Sequence, residues 1–403
     1  MFEATRAAGL NRLEAFAPRM GRRYASGRNY DKGPGQHSAV SCLSPYTRRR
    51  MVTEEEAVRG AMADHGLEGA EKFIQEVFWR TYFKGWLERR PSIWTTYKAG
   101  LEADRAALER DRGLRKRVDQ AENGQTGLDC FDAWSAELVE TGYLHNHARM
   151  WFASIWIFTL ELPWRLGADF FYRHLLDGDP ASNTLSWRWV AGLHTRGKAY
   201  EAKAWNITKF TNQRFSPRDS DLTVGITPLQ ETEPEGLPSV TPLREVVEPE
   251  PSKPTALLIT EEDLQVGDMV PAGTDFVARA TLAASHLRSD QEVSKAVIDF
   301  ETAALADGAE RLAPGATPLE ARSPKDLVGW AQAAGAEQIA TGYVPEGPLR
   351  DWLSEARPLL DDAGITLAEW RRAWDAETWP FATAGFFKVK QKIPRILGTL
   401  GVE

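Results

Sequence analysis

The sequence contains very little cysteine and no long hydrophobic run. Only Cys42 and Cys130 are cysteines among its 403 residues, which excludes a disulfide framework, a cysteine-rich zinc site and a four-cysteine cluster. The most apolar segment, residues 150–160, is about half as long as the ~20 residues of a membrane-spanning helix. The N-terminal residues lack the apolar core of a secretion signal. These absences predict a soluble protein of the reducing cytoplasm, with no membrane partner.

Charge is distributed unevenly along the chain, whose formal net charge is −8. Residues 1–220 contain 33 Lys and Arg against 27 Asp and Glu, whereas residues 221–403 contain 16 against 30. The first part can therefore present a basic face to a nucleic acid although the whole chain is acidic. Tryptophan is abundant, and ten of the 15 Trp residues lie in the first part.

The sequence pattern changes twice along the chain. Helical periodicity dominates residues 1–215, Pro and Glu dominate residues 216–254, and strand-like and helix-like segments alternate over residues 255–403. We therefore predict an α+β multidomain protein with a helical domain, a linker and a small α/β domain built on a parallel sheet. The predicted strands are 256–260, 276–280, 338–341 and a short one near 364–365. The predicted helices are 71–88, 102–120, 129–140, 146–160, 168–176, 289–307, 324–334 and 347–363, with a further helix start at 366–369.

Two short motifs suggest ligand sites. Ser44 followed by Pro45 is typical of a helix start with Ser44 as the N-cap, where free amide groups suit an anion. That pattern more often marks a helix cap that binds no ligand. His145 and His147 are two residues apart, so on a helix they point to different faces. No carboxylate or cysteine spacing completes a site around them, and we predict no metal.

Charged residues beside aromatic ones mark two further positions. Glu76, Trp79 and Arg80 share one face of a predicted helix. A partly buried carboxyl group beside an aromatic ring is a candidate for ligand recognition or proton transfer, and Glu76 fits this description. The alternative is that Glu76 and Arg80 form an ordinary surface ion pair. Arg149 stands at the entrance of the most apolar segment and needs an acidic partner. That partner is predicted to come from the loop 177–180, as Asp177 or Asp179.

Five sequence strings follow one another along the first part of the chain: YASGR at 24–28, SCLSPY at 41–46, TGYLHNHARM at 141–150, DGDPASN at 177–183 and WRW at 187–189. Their order resembles that in the flavin-binding helical domain of the photolyase/cryptochrome family, and the similarity covers roughly residues 20–195. In that family the α/β antenna domain precedes the FAD domain, so the chain resembles a version with swapped domain order, as a circular permutation would produce.

The resemblance implies FAD as the cofactor and leaves the antenna chromophore unknown. It implies pyrophosphate contacts in segment 41–44, an Arg149–Asp177 pair beside the flavin ring, Asp179 at the ring edge, and Asn183 near the flavin nitrogen that is protonated on reduction. The implied cofactor-binding residues are Tyr24, Ser41, Leu43, Ser44, Arg149, Asp177, Asp179 and Asn183.

The resemblance also implies catalytic and substrate-binding residues. Trp187 and Trp164 correspond to the first two members of an electron-hopping chain, and the third is open between Trp86, Trp94 and Trp156. The implied catalytic residues are Glu76, Asn146, Asn183, Trp164 and Trp187. The implied substrate-binding residues are Trp79, Arg80, Met150 and Trp189.

The implied function is blue-light-dependent repair of pyrimidine dimers in DNA by electron transfer from photoexcited reduced FAD. The dimer would leave the base stack to reach the flavin, and basic residues would hold phosphates. A cryptochrome-like photosensor without repair activity is the main alternative, and a helical protein that has lost the flavin is a third. A monomer is the default oligomeric state.

Overall fold

A computed structural model describes residues 2–402, which form helices α1–α18 and strands β1–β5. No helix among these residues is long and apolar enough to cross a membrane. The strands are β1 Thr255–Thr260, β2 Phe276–Ala283, β3 Thr317–Glu320, β4 Gln338–Gly342 and β5 Thr366–Trp370. The helices are α1 Arg6–Phe16, α2 Arg22–Gly27, α3 Ser44–Arg48, α4 Glu54–Gly69, α5 Glu71–Glu88, α6 Ser92–Arg110, α7 Arg112–Glu122, α8 Asp129–Thr141, α9 Asn146–Ser154, α10 Trp164–His174, α11 Pro180–Val190, α12 Ala204–Phe210, α13 Lys295–Leu312, α14 Pro324–Ala333, α15 Pro348–Asp362, α16 Ala373–Thr378, α17 Phe387–Lys390 and α18 Ile393–Thr399.

The chain divides into two compact units. The helical unit comprises Arg19–Cys42 and Arg90–Val240, and the sheet unit comprises Phe2–Pro18, Leu43–Arg89 and Thr241–Glu403. The Pro- and Glu-rich stretch that begins at residue 216 is extended apart from short 3-10 turns. The predicted boundaries at residues 215 and 254 stay predictions.

Aromatic packing builds the core of the helical unit. The Phe131 ring of α8 stacks on Phe152 of α9 at 4.2 Å between centroids, and Trp134 stacks on Trp151 at 5.4 Å. All four side chains are buried, and rings of this size dominate core energetics because each removes a large apolar area from water. The apolar segment predicted as one helix over 146–160 is α-helical only to Ser154, and a π-helical turn follows.

Local capping sets two helix boundaries in the helical unit. The segment predicted as one helix over 102–120 is two helices, because the Asp111 carboxylate accepts from Leu114 N at 2.9 Å and starts α7. Helix α11 was not predicted; it begins where Asp179 Oδ1 accepts from Ser182 N at 2.8 Å, with Pro180 at its first position.

The sheet unit contains a five-stranded, all-parallel sheet in the order β3-β2-β1-β4-β5. The central strand β1 is buried along its whole length, as expected for a parallel sheet covered on both faces. Helices α13, α14 and α15 connect successive strands, and apolar side chains of α14 and α15 pack on it. The predicted parallel sheet is therefore confirmed.

Three expectations for the α/β region were wrong in detail. The pattern at 366–369 predicted a helix start but forms β5, and the short strand expected near 364–365 is this strand, displaced by two residues. Helix α13 begins at Lys295 rather than at 289. Strand β3 was missed because only four residues at the sheet edge form it, most of them exposed, so little periodicity marks it.

Candidate functional site

An ion pair joins α9 to the loop before α11 in the helical unit. Arg149 Nη2 lies 2.9 Å from Asp177 Oδ2 and 3.1 Å from Oδ1. Arg149 Nε also donates to Leu144 O at 2.9 Å, which fixes the orientation of the guanidinium plane. The Asp177 side chain is only 2% exposed, whereas that of Arg149 is 23% exposed. Of the two candidate partners, Asp177 is therefore the residue that pairs with Arg149.

Asp179 and Asn183 occupy the first turns of α11. Asp179 is the N-cap residue, so one of its carboxylate oxygens satisfies a free backbone amide. Asn183 lies one turn further and is buried; its Nδ2 donates to Ala168 O at 2.7 Å, which ties α11 to α10. Both predicted cofactor residues are held in place by bonds to the backbone.

A buried histidine lies at the start of α9. His145 is the N-cap residue, and its Nδ1 accepts from His147 N at 3.2 Å. Burial, with smaller contributions from the neighbouring His37 and His147 rings, lowers the pKa of His145 to about 4. The ring is thus neutral at neutral pH. His37 stacks on it at 5.9 Å and contacts Glu137 at 3.2 Å.

The two tryptophans predicted to carry electrons are both buried. The Trp187 ring lies 6.2 Å from Trp156 and perpendicular to it, and Trp187 Nε1 is buried without a hydrogen-bond partner within residues 2–402. The Trp164 ring lies 5.7 Å from Tyr97, which lies 5.4 Å from Trp94. Trp156 and Trp94, two of the three candidates for the third tryptophan, therefore adjoin this set.

Residues predicted to contact the FAD phosphates lie in two segments. Tyr24 is buried in α2 and Ser41 is half-buried, both in the helical unit. Leu43 and Ser44 begin α3 in the sheet unit. The expectation that Ser44 caps this helix was wrong: Leu43 is the N-cap residue, and its carbonyl accepts from Tyr46 N and Thr47 N, both at 2.9 Å.

Helix α5 of the sheet unit carries Glu76, Trp79 and Arg80. All three are partly exposed, and the helix spans residues 71–88 as predicted. The Trp79 ring stacks on Phe386 at 4.0 Å with 16° between the planes. One face of the indole is therefore occupied within the same unit.

The remaining predicted substrate residues lie in the helical unit and are accessible. Asn146 is exposed at the start of α9, and its Nδ2 lies 3.9 Å from the sulfur of Met150. Trp189 is half-buried beside Tyr200, at 5.5 Å between ring centroids. Tyr200, whose hydroxyl also lies 3.2 Å from His147 Nε2, was not predicted, because no motif accompanies it in the sequence.

Part of the chain is similar to known proteins. Residues 73–219 match the family model of the FAD binding domain of DNA photolyase. The deoxyribodipyrimidine photo-lyase of Streptomyces griseus is 37% identical over 39% of this chain and 33% of its own length. That of a Synechococcus species is 31% identical over 55% of this chain and 48% of its own. The cryptochrome DASH of Natronomonas pharaonis is 32% identical over 48% of this chain and 40% of its own.

Residues 73–219 are therefore similar to the FAD binding domain of photolyases, and this similarity supports FAD as the cofactor. The chain spans between a third and about half of the length of these relatives.

The polar groups of the helical unit suit a flavin chemically. A flavin ring edge presents an N–H donor and carbonyl and imine acceptors, so it needs both acceptors and donors in the protein. Asp177 and Asp179 provide carboxylate oxygens, Arg149 provides a guanidinium, and the buried Trp187 Nε1 is an N–H without a partner among the described residues. We infer that these residues fit FAD.

Proposed function

We propose that this flavoprotein repairs pyrimidine dimers in DNA under blue light. The observation that carries the proposal is a difference in burial among the residues of the family motifs. The side chains assigned to electron transfer, Trp164 and Trp187, are buried, whereas those assigned to substrate, such as Asn146 and Trp189, are accessible. The names of the photo-lyase relatives support the same function.

Reduced FAD, when bound, would supply an electron to the dimer on absorbing blue light and recover it once the dimer has split, so the reaction is redox-neutral. The protein's part is to hold the reactants and protons in place. Arg149 and Asp177 form a fixed charge pair that would orient the flavin ring, and Asp179 would accept a hydrogen bond from the ring. Because Asp179 is already held at the start of α11, this acceptor is preorganised.

The substrate is held by aromatic and amide groups. In the helical unit, Trp189 offers a ring on which an extruded pyrimidine dimer can stack, and Asn146 offers an amide that can hydrogen-bond one of its bases. In the sheet unit, Trp79 has one open ring face of the same kind. Glu76 acts as the acid that stabilises or protonates the dimer after it receives the electron. Arg80 and other basic residues hold phosphates, so binding weakens as salt rises.

The direct test illuminates the reduced protein with an oligonucleotide that carries one cyclobutane thymine dimer. Recovery of thymine absorbance at 260 nm, dependent on light and on FAD, is expected. Asn146→Ala is expected to lower the yield, while Asn123→Ala, which removes an exposed amide at the end of α7, leaves it unchanged. An FAD-loaded protein without light-dependent recovery contradicts the proposal.

A second experiment separates flavin photoreduction from repair. Trp187→Phe is expected to slow photoreduction strongly but to keep repair when the flavin is reduced chemically. Trp205→Phe, at an indole that is 60% exposed, serves as the control. Equal photoreduction in both variants would remove Trp187 from the electron path.

A blue-light photosensor is the second candidate. It is favoured by the Phe386 ring stacked on Trp79, which occupies one face of a residue assigned to substrate, and by similarity to a cryptochrome DASH. Photoreducible FAD without light-dependent repair of the dimer would favour this candidate.

A further inference from the structure

The strand order of the sheet indicates where a ligand of a doubly wound sheet would bind. From β1 the chain runs outward to β2 and β3 and then returns to the other side of β1 with β4. In doubly wound sheets the crevice outside the carboxyl ends of the two strands at such a reversal is where a nucleotide binds. Here that crevice lies between the ends of β1 and β4.

The last turn of α5 lies across this crevice. Lys84 Nζ is 3.3 Å from Glu262, which follows β1, and one turn later Glu88 accepts from the Tyr343 hydroxyl, which follows β4, at 2.5 Å. Between them, a Cβ on Gly85 would lie 2.5 Å from Trp379. Protein side chains therefore fill the position at which a nucleotide would bind.

Three consecutive acids after β1 bind three consecutive arginines at the end of α3. We call Glu261, Glu262 and Asp263 the acid triplet, and residues 43–53 the anchored segment. Arg48 binds Glu262 through two bonds of 2.6 and 2.9 Å, Arg49 lies 2.9 Å from Glu261, and Arg50 lies 3.4 Å from Asp263. All six residues are buried. Buried charges of this kind require their partners, because an uncompensated charge in the interior is costly.

The anchored segment cannot hold its own conformation. Helix α3 has five residues, and a helix this short has little intrinsic stability because nucleation is unfavourable. Arg50 has a left-handed backbone with φ of 52°, which is disfavoured for a residue other than glycine. Its guanidinium also binds Asp375 at 2.6 Å. Contacts made by the arginine side chains therefore help to position the segment, together with the buried side chains of Tyr46, Met51 and Val52.

We propose that the ligand crevice of this sheet has become a clamp, in which the acid triplet positions the anchored segment and, with it, Leu43 and Ser44, the residues of this unit that are proposed to bind FAD. The proposal rests on the proposed role of these two residues in binding FAD. Burial raises the pKa of Glu261, but Arg49, Arg288 and Arg48 outweigh that effect and lower it to about 2, so Glu261 keeps its charge at neutral pH.

The test compares two buried carboxylates of one sheet. Glu262→Gln removes a charge that binds the anchored segment. Glu369→Gln is the matched control: Glu369 is buried at β5, binds Arg244 at 2.5 Å and accepts from Val344 N at 3.0 Å. Titration of the apoprotein with FAD is expected to show at least tenfold weaker binding for Glu262→Gln and less than a twofold change for the control. Equal weakening in both variants would overturn the proposal.

Hydrogen exchange provides a readout that needs no flavin. The amides of Tyr46, Thr47 and Met51, bonded within the segment, are expected to exchange faster in Glu262→Gln than in the control. Unchanged exchange would overturn the clamp itself. Failure of the wild-type protein to bind FAD would instead contradict the proposed function. If Glu262→Gln does not fold, Arg48→Lys, which keeps the charge but loses the two-bond geometry, is expected to show the same changes at smaller size, and their absence would overturn the proposal.

Discussion

The Arg149–Asp177 pair has one buried and one accessible member, and this difference predicts unequal effects of mutation. Arg149→Gln leaves a carboxylate that is 2% exposed without its guanidinium, whereas Asp177→Asn leaves a guanidinium that is 23% exposed and open to water. We expect Arg149→Gln to lower the free energy of unfolding of the apoprotein by about 3 kcal/mol and Asp177→Asn by about 1 kcal/mol.

Urea denaturation of the apoprotein measures both values. Arg218→Gln is a suitable control, because its ion pair with Asp221 lies on the surface, where the arginine side chain is 81% exposed. Surface pairs contribute about 0–1 kcal/mol. Equal losses for the two core variants would show that burial does not separate these partners.

Glu346, after β4, predicts a pH dependence of stability. Burial and, to a smaller extent, the nearby Glu88 carboxyl raise its pKa to about 7. The folded protein binds this proton more tightly than the unfolded chain, in which the pKa is 4.5. The stabilising contribution is therefore complete below about pH 4.5 and is lost as the pH rises through about 7.

Glu346→Gln is expected to remove this dependence. At pH 8 the free energy of unfolding should exceed that of the wild type by on the order of 2 kcal/mol, and the two proteins should converge near pH 5. Urea denaturation at the two pH values measures the difference. Glu355→Gln, an exposed position on α15, should follow the wild-type curve, and a parallel curve for Glu346→Gln would exclude this residue as the cause.

At the scale of elements, α10 packs on α11 through a glycine. A Cβ at Gly167 would lie 2.3 Å from Trp187 and 2.9 Å from Trp156. Gly167→Ala should therefore displace the two indoles, cost about 1–3 kcal/mol of stability by overpacking and slow flavin photoreduction. Thermal unfolding and flavin absorbance under blue light measure these effects.

The matched control is a helical glycine with open space around it. Gly329 in α14 has no atom within 4 Å of an added Cβ, so Gly329→Ala should raise stability by about 0.5–1 kcal/mol through helix propensity alone. A gain of stability at both positions would mean that α10 and α11 adapt without moving the indoles.

Elements with a local physical cause could be predicted from sequence, and those set by packing could not. Helix α5 follows from its apolar periodicity, and the fully buried β1 follows from alternation of strand and helix signals. The residues of β5 carry a helix-capping pattern, but they pair with β4 instead, and this pairing overrides the local preference for a helix start. The Arg149 partner could be narrowed to two acids because a buried charge requires one, but the choice depended on the path of the loop.

At the scale of the whole molecule, the decisive contacts join residues far apart in sequence. Arg48 and Glu262 are separated by 214 positions, and no local pattern indicates that segment 43–89 belongs to the same compact unit as the sheet. Runs of arginine at 48–50 and of acids at 261–263 are visible in the sequence, but each alone is typical of a solvated surface. Only their mutual burial shows that they form one structure.

Because protein side chains fill this crevice, we predict that the purified protein carries no second chromophore beside FAD. A second chromophore bound in the manner of a nucleotide would need the carboxyl ends of β1 and β4, which Lys84, Glu88 and the acid triplet occupy. Displacing these groups would break buried ion pairs, at a cost of about 3–5 kcal/mol for each pair. The binding free energy of a weakly bound chromophore does not offset this cost. The purified protein should therefore show flavin absorbance alone, and heat denaturation should release FAD as its single chromophore. Chromatography of the supernatant measures this, and a second chromophore in equimolar amount would mean that the last turn of α5 leaves the crevice when a ligand arrives.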